Sequence, residues 1–157
     1  LVNEGAVECL SIADPTASGD LINPKQMERF AVPPLKKISD WAKSKNIYTI
    51  LHICGNTSDR LELFPLTGCS TIFFDQKVDI AKAKEILFGR MSFGGNIAPV
   101  HVLLNKTADE VEAACREVIQ IAGQDGGFVL VPGCDIPPTI PFENIKVFHD
   151  VALNWKY

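Results

Sequence analysis

The sequence lacks any apolar run that approaches the length of a membrane-spanning helix. It also lacks a basic run or a stripe of arginine and lysine, and its formal net charge is −4, so nucleic acid is not an expected partner. The first residues include Glu4 and Glu8, where a secretory signal peptide carries basic residues. These absences predict a protein of the cytoplasm that binds neither a membrane nor nucleic acid.

The chain contains five cysteines, which is an odd number. In a sequence without a secretory signal, five cysteines argue against a disulfide framework and favour metal binding or catalysis. Cys9, Cys69 and Cys115 lie in or beside apolar runs, and we expect all three to be small buried hydrophobic residues. Cys54 and Cys134 remain as candidates for chemistry.

No linker, low-complexity tract or internal repeat interrupts the sequence, which predicts one domain over 1–157. With 46% apolar and 22% charged residues, the composition is that of an ordinary globular protein. Strand patterns are predicted at 6–13, 47–54, 70–74, 91–93 and 127–131. Helical patterns are predicted at 23–45, 59–67, 80–88, 107–122 and 142–155, the first one kinked or split by Pro33 and Pro34. This alternation predicts an α/β fold with a parallel sheet that is covered on both faces.

Two of the apolar strands lead into possible metal ligands. His52 and Cys54 are two residues apart on the strand at 47–54, so their side chains project from the same face. Cys134 follows the strand at 127–131. One imidazole and two thiolates suit Zn²⁺, and three protein ligands leave a fourth position for a reactant, as in catalytic zinc sites. The residue types alone also allow structural cysteines and a core histidine.

The segments His-Ile-Cys-Gly-Asn-Thr at 52–57 and Pro-Gly-Cys-Asp-Ile-Pro-Pro at 132–138 resemble metal motifs of a known family. That family is the zinc-dependent methylcobamide:coenzyme M methyltransferases of the uroporphyrinogen decarboxylase superfamily, and the resemblance runs the length of the chain. It implies a (β/α)₈ barrel, which typically needs about 250 residues, so five units imply its C-terminal portion. We expect residues 1–5 to be the end of an earlier helix. Either an N-terminal segment or a second copy in a homo-oligomer would complete the barrel.

The resemblance implies a methyltransferase that moves a methyl group from a methylcobamide, carried by a separate corrinoid protein, to a small thiol. In the family this thiol is coenzyme M, and Zn²⁺ bound by His52, Cys54 and Cys134 activates it as a thiolate. A second hypothesis is a uroporphyrinogen decarboxylase-like protein that binds an acidic tetrapyrrole without metal, although few lysines or arginines fall at strand ends. A third is a non-catalytic fragment, or a corrinoid-binding module, that keeps the zinc without turnover.

Two aspartates near the metal motifs are predicted to be catalytic. Asp75 follows the strand at 70–74 and is a candidate partner for His52, or a ligand when substrate is absent; it could equally cap a turn. Asp135 follows Cys134 and is a candidate for stabilising the loop of that ligand.

Two further residues at strand ends are predicted to bind substrate. Asp14, after the first strand, would contact substrate or cap a turn. Asn96, after Gly94 and Gly95, would bind a sulfonate in the anion pocket common in barrels, or would belong to a simple glycine turn. Because barrel active sites lie at the C-terminal ends of the strands, all the candidate residues should meet at one edge of the sheet.

Overall fold

The computed structural model describes Gly5 and residues 7–155, and it contains one sheet of five parallel strands in the order β1-β2-β3-β4-β5. The strands are β1 Cys9–Ala13, β2 Tyr48–Ile53, β3 Thr71–Phe74, β4 Ser92–Ile97 and β5 Phe128–Pro132. Strands and helices alternate, so the predicted α/β architecture is confirmed. The expected helix end at 1–5, apart from Gly5, and the predicted strand start at Ala6 lie outside the described residues.

The helices follow the strands in sequence. They are α1 Pro24–Gln26, α2 Val32–Ser44, α3 Ile80–Leu87, α4 Ala108–Ala122 and α5 Phe142–Asn154. Two π-helical turns, Met27–Ala31 and Pro99–Leu104, and two 3₁₀ segments, Pro15–Ala17 and Leu61–Thr67, complete the connections. Within the described part of the chain, none of the helices combines the length and the apolar character that crossing a bilayer requires.

Local sequence explains where these helices begin. The Asn23 side chain accepts a hydrogen bond from the Gln26 N–H, and Thr107 forms a reciprocal capping box with Glu110. The first predicted helix is split, as expected, because α2 begins just before Pro33 and Pro34. The residues that join the π-helical turn Met27–Ala31 to α2 keep helical backbone angles, so the prolines follow a helical turn. Because Pro33 and Pro34 have no N–H to donate to that turn, its hydrogen bonding is interrupted there.

Two predicted elements differ most from the structure. The helix predicted at 59–67 is the 3₁₀ segment Leu61–Thr67, which contains Pro65, a residue without an N–H for an α-helical bond. The fourth strand extends through Gly94 and Gly95 to Ile97, so the glycine turn considered there is wrong. Glycine is needed in this strand, since a Cβ at Gly94 would lie 2.6 Å from the Val129 carbonyl oxygen.

The two faces of the sheet have different surroundings. Alternate strand residues such as Leu51, Ile72 and Phe93 are buried in one cluster with apolar residues of α2 and α3. The opposite face is open in places, since Tyr48 is 70% and Val129 43% exposed. Within the described residues the two faces are therefore not both covered, which agrees with the expectation that an open five-stranded portion of a barrel leaves its inner face exposed.

Of the three cysteines expected in the core, two are buried and one is exposed. Cys69 and Cys115 are buried, as predicted. Cys9 is exposed, which contradicts the prediction. In the described sheet β1 pairs only with β2, and exposed and half-buried residues alternate along β1, with Cys9 among the exposed ones.

Candidate metal centre

Three side chains from distant parts of the chain meet at the C-terminal edge of the sheet. His52 lies near the end of β2, Cys54 follows it directly, and Cys134 comes two residues after β5. The Nε2 atom of His52 lies 3.1 Å from the Sγ atom of Cys54, which lies 3.4 Å from the Sγ atom of Cys134. One ligand atom from each residue lies within 4.8 Å of the other two. Around a single tetrahedral Zn²⁺, ligand atoms stand roughly 3.5–3.8 Å apart, so the spacing and the N/S donor set both fit that ion.

The path of the Cys134 loop explains how this cluster forms. β2 and β5 are separated by two strands, and in a flat sheet they would lie roughly 14 Å apart. The Gly133 N–H still donates to the Ile97 carbonyl, as the last bond of the parallel pairing between β4 and β5, and the chain turns towards β3 from there. A Cβ on Gly133 would lie 2.6 Å from the backbone nitrogen of Gln76, beyond the end of β3. Gly133 therefore allows the loop to cross β4 and β3 and bring Cys134 to Cys54.

A backbone carbonyl orients the imidazole. β2 and β3 are paired so that His52 lies beside Phe73, and the Nδ1 atom of His52 lies 3.1 Å from the Phe73 carbonyl oxygen. A carbonyl only accepts hydrogen bonds, so Nδ1 carries the proton and the Nε2 lone pair is directed at the cysteines. This is the support that metal-binding histidines commonly have. Phe73, rather than Asp75, has this role.

Asp75 instead holds the two loops that carry the cysteines. Its carboxylate is 8% exposed and accepts hydrogen bonds from the Gly55 N–H at 2.9 Å and the Lys77 N–H at 3.0 Å. Gly55 directly follows Cys54, and Gly133, which precedes Cys134, packs against the Asp75–Gln76 backbone. Asp75 thus contacts the neighbours of both cysteines, and its predicted catalytic role stays a prediction.

The electrostatic surroundings keep the Cys54 thiol protonated. Burial, followed by the neighbouring Cys134 and the carboxylates of Asp75 and Asp135, raises the pKa of Cys54 from 9.0 to about 11. Two adjacent thiolates beside two carboxylates repel one another, and a divalent cation reverses this balance. Metal binding would therefore release protons from thiols.

The remaining predicted residues also lie at this edge. The Asp14 N–H donates to the His52 carbonyl at 3.0 Å, while its side chain accepts from the Thr16 hydroxyl. Asp135 is exposed next to Cys134. Asn96 lies within β4, and its Nδ2 atom lies 2.6 Å from the Val78 carbonyl oxygen. All the residues chosen from the sequence thus converge on one edge, but the substrate-binding roles of Asp14 and Asn96 stay predictions.

Sequence reasoning missed the polar network that supports the Cys54 loop. The Arg60 guanidinium is 1% exposed and donates to the carbonyls of Ala17 and Ile22, at 2.8 and 2.7 Å. The Gly19 N–H donates to the Asn56 carbonyl, which joins the loop after β1 to the loop after β2. No sequence spacing links these residues. The one signal in the sequence was an arginine inside an otherwise polar turn, which could have been predicted to donate to backbone carbonyls.

The chain is similar in sequence to proteins named as methyltransferases and decarboxylases. The chain is 37% identical over 154 residues to the methylcobamide:CoM methyltransferase MtbA of Methanosarcina acetivorans, an alignment that covers 98% of this chain and 44% of that protein. It is 35% identical over 144 residues to the methylcobamide:CoM methyltransferase MtaA of Methanosarcina barkeri, with 91% and 40% covered. A uroporphyrinogen decarboxylase of Hordeum vulgare is 30% identical over 138 residues, with 87% and 41% covered.

A solved structure of a methyltransferase from Methanosarcina mazei superimposes with a TM-score of 0.83 and 31% sequence identity, over 96% of this chain and 43% of that one. The five strand–helix units therefore correspond to part of a TIM-barrel-type fold, and the chain spans less than half the length of these relatives. The family profile described as uroporphyrinogen decarboxylase (URO-D) matches residues 1–155. The chain belongs to the uroporphyrinogen decarboxylase family.

Proposed function

We propose that the chain is the zinc-binding part of a methyltransferase that moves a methyl group from a methylated corrinoid, carried by a partner protein, to a small thiol. The acceptor is coenzyme M by similarity to the relatives. The observation that carries the proposal is the cluster of His52, Cys54 and Cys134, whose ligand atoms lie within 4.8 Å of one another although two of the residues are 80 positions apart.

His52, Cys54 and Cys134 would hold the metal. When bound, Zn²⁺ supplies a positively charged position at which a thiol, with a free pKa of about 8.5, is held as its thiolate. The chain's own residues prepare this position: the Phe73 carbonyl fixes the tautomer of His52, and Asp75 holds the backbone that follows Cys54. We assign Asp75 and Asp135 to keeping the cysteines in place, and Asp14 and Asn96 to the rim that receives the acceptor.

The cluster also favours methyl transfer over the decarboxylase hypothesis. Decarboxylation without a metal does not require two thiols and an imidazole in mutual contact. An acidic tetrapyrrole needs cations for its carboxylates, whereas the edge around the cluster carries the aspartates Asp14, Asp75 and Asp135. The third hypothesis, a piece that binds zinc without turnover, differs from the proposal only in activity.

Methyl transfer from methylcobalamin to 2-mercaptoethanesulfonate by the zinc-loaded chain tests the proposal. We expect transfer by the wild type and by Cys9→Ala, which removes an exposed cysteine outside the cluster, and a loss of at least about 100-fold in Cys134→Ala. Zinc-loaded wild type without any transfer would contradict the proposal and support the non-catalytic fragment.

A further inference from the structure

An acceptor such as coenzyme M carries a sulfonate, and this anion must approach a centre that is already rich in negative charge. The inference below rests on the proposed function, because it concerns the same thiol acceptor. Asp75 accepts a hydrogen bond from the residue after Cys54, and Asp135 directly follows Cys134, so carboxylates lie beside both cysteine loops. A second negative group on the acceptor therefore needs a cation or a free N–H donor close to the loops that carry the ligands.

Several donors at this edge already have acceptors. The Nδ2 atom of Asn96 lies 2.6 Å from the Val78 carbonyl oxygen, and 3.5 Å from a second carbonyl. The start of α3 is capped by the Asp79 carboxylate, which accepts two of its backbone N–H groups. The Arg60 guanidinium is buried and donates to two backbone carbonyls and to the neighbouring aspartate. Each of these three groups would have to give up a hydrogen bond within the chain in order to donate to an incoming anion, even where it lies at the rim of the site.

Lys77 differs from these groups because its backbone is linked to the loop that carries Cys54, while its side chain is exposed to solvent. Its backbone N–H donates to one oxygen of Asp75, whose other oxygen accepts from Gly55, the residue after the ligand Cys54. Its Nζ atom lies 2.9 Å from Oδ2 of Asp20, and the same oxygen lies 3.4 Å from the backbone nitrogen that follows Gly55. Both ends of Lys77 are therefore connected to the loop that carries Cys54.

The ammonium of Lys77 can exchange its present partner, the Asp20 carboxylate, for another anion. Its side chain is 53% exposed and that of its partner Asp20 is 49% exposed, so both charges face water. The Lys77 ammonium lowers the pKa of Asp20, which keeps the carboxylate ionised while it occupies the ammonium. If another anion binds the ammonium, water solvates the Asp20 carboxylate, and no buried charge is left without a partner.

We infer that Lys77 binds the anionic end of the thiol acceptor, with the sulfonate replacing the carboxylate of Asp20. In this arrangement Lys77 determines specificity for anionic thiols, and Asp20 is the internal competitor that holds the ammonium in place beforehand. The thiol end of one small molecule would thereby bind at the cysteine cluster and its anionic end at the loop after β3, which Asp75 hydrogen-bonds to the Cys54 loop.

Thiol binding to the Co²⁺-substituted chain tests this inference. Absorption from thiolate-to-cobalt charge transfer is titrated with 2-mercaptoethanesulfonate and with neutral 2-mercaptoethanol, in the wild type, Lys77→Gln and Asp20→Asn. Lys36→Gln is the matched control, because Lys36 also pairs with an aspartate and is also 53% exposed, but lies on α2.

We expect Lys77→Gln to weaken binding of the sulfonate thiol by about three- to tenfold and to leave 2-mercaptoethanol unchanged. Asp20→Asn should tighten the sulfonate thiol, because the ammonium loses its competitor, and Lys36→Gln should change neither. The inference is overturned if Lys77→Gln weakens both thiols equally or neither of them. If neither thiol changes the charge-transfer absorption that the chain's own cysteines give in the Co²⁺-loaded wild type, the proposed function itself fails, and the inference falls with it.

Discussion

Gly133→Ala is expected to disturb the metal centre without touching a ligand. The new Cβ would lie 2.6 Å from the backbone nitrogen of Gln76 and 3.3 Å from the carbonyl carbon of Asp75. These are backbone atoms, so the Cys134 loop must move by several tenths of an ångström, while metal–ligand distances tolerate only about 0.2 Å. Zinc affinity should fall about 10- to 100-fold, and overpacking should lower the free energy of unfolding by about 1–3 kcal/mol.

The assay separates these two effects. Zinc dissociation constants are measured by competition with a chromophoric chelator, and unfolding free energies by urea titration of the metal-free chain. Gly123→Ala is the matched control: its Cβ would lie 2.8 Å from the Ile119 carbonyl oxygen, a similar clash at the end of α4, before β5 begins. It should lower stability and leave zinc affinity unchanged. Wild-type zinc affinity in a folded Gly133→Ala variant, or an equal loss in Gly123→Ala, would refute the reasoning.

Three other perturbations have defined outcomes. Arg60→Met should lower the free energy of unfolding by about 2–4 kcal/mol, because two buried carbonyls lose their donor, whereas the exposed Arg90→Met should change it little in the same urea titration. Burial raises the pKa of Cys115 to about 12, so the folded chain keeps a proton that the unfolded chain gives up near pH 9.0; stability should fall by about 1.4 kcal/mol per pH unit above that value, with a smaller slope in Cys115→Ala. Asp75→Ala should weaken zinc binding about tenfold in the chelator assay, because Asp75 accepts a hydrogen bond from the residue after Cys54, and Asp135→Asn, at an exposed position, should weaken it much less.

The sequence contained enough to predict the strands and the residues that meet in the cluster. His52 and Cys54 share a face through the period-two geometry of β2, and the C-terminal edge of a parallel sheet is the expected location for such residues. The path that brings Cys134 to them was not predictable, because it depends on contacts of Gly133 with the ends of β3 and β4. Local pattern carries no information about contacts between residues so far apart along the chain.

The same limit applies to β4 and to the support of His52. Gly94 and Gly95 are turn residues by local propensity, yet the strand continues through them because the Val129 backbone and the Phe73 ring leave no room for a side chain at Gly94. Strand pairing likewise selects the Phe73 carbonyl as the partner of His52, a role that the sequence suggested for Asp75 because of its charge.

The zinc content of the chain, purified without added metal, tests the three-ligand centre most directly. Elemental analysis should find about one zinc per chain in the wild type and in Cys9→Ala, and little or none in Cys134→Ala. Zinc-free wild type that is well folded, or Cys134→Ala that retains the full wild-type zinc content, would contradict the assignment of His52, Cys54 and Cys134 as the metal ligands.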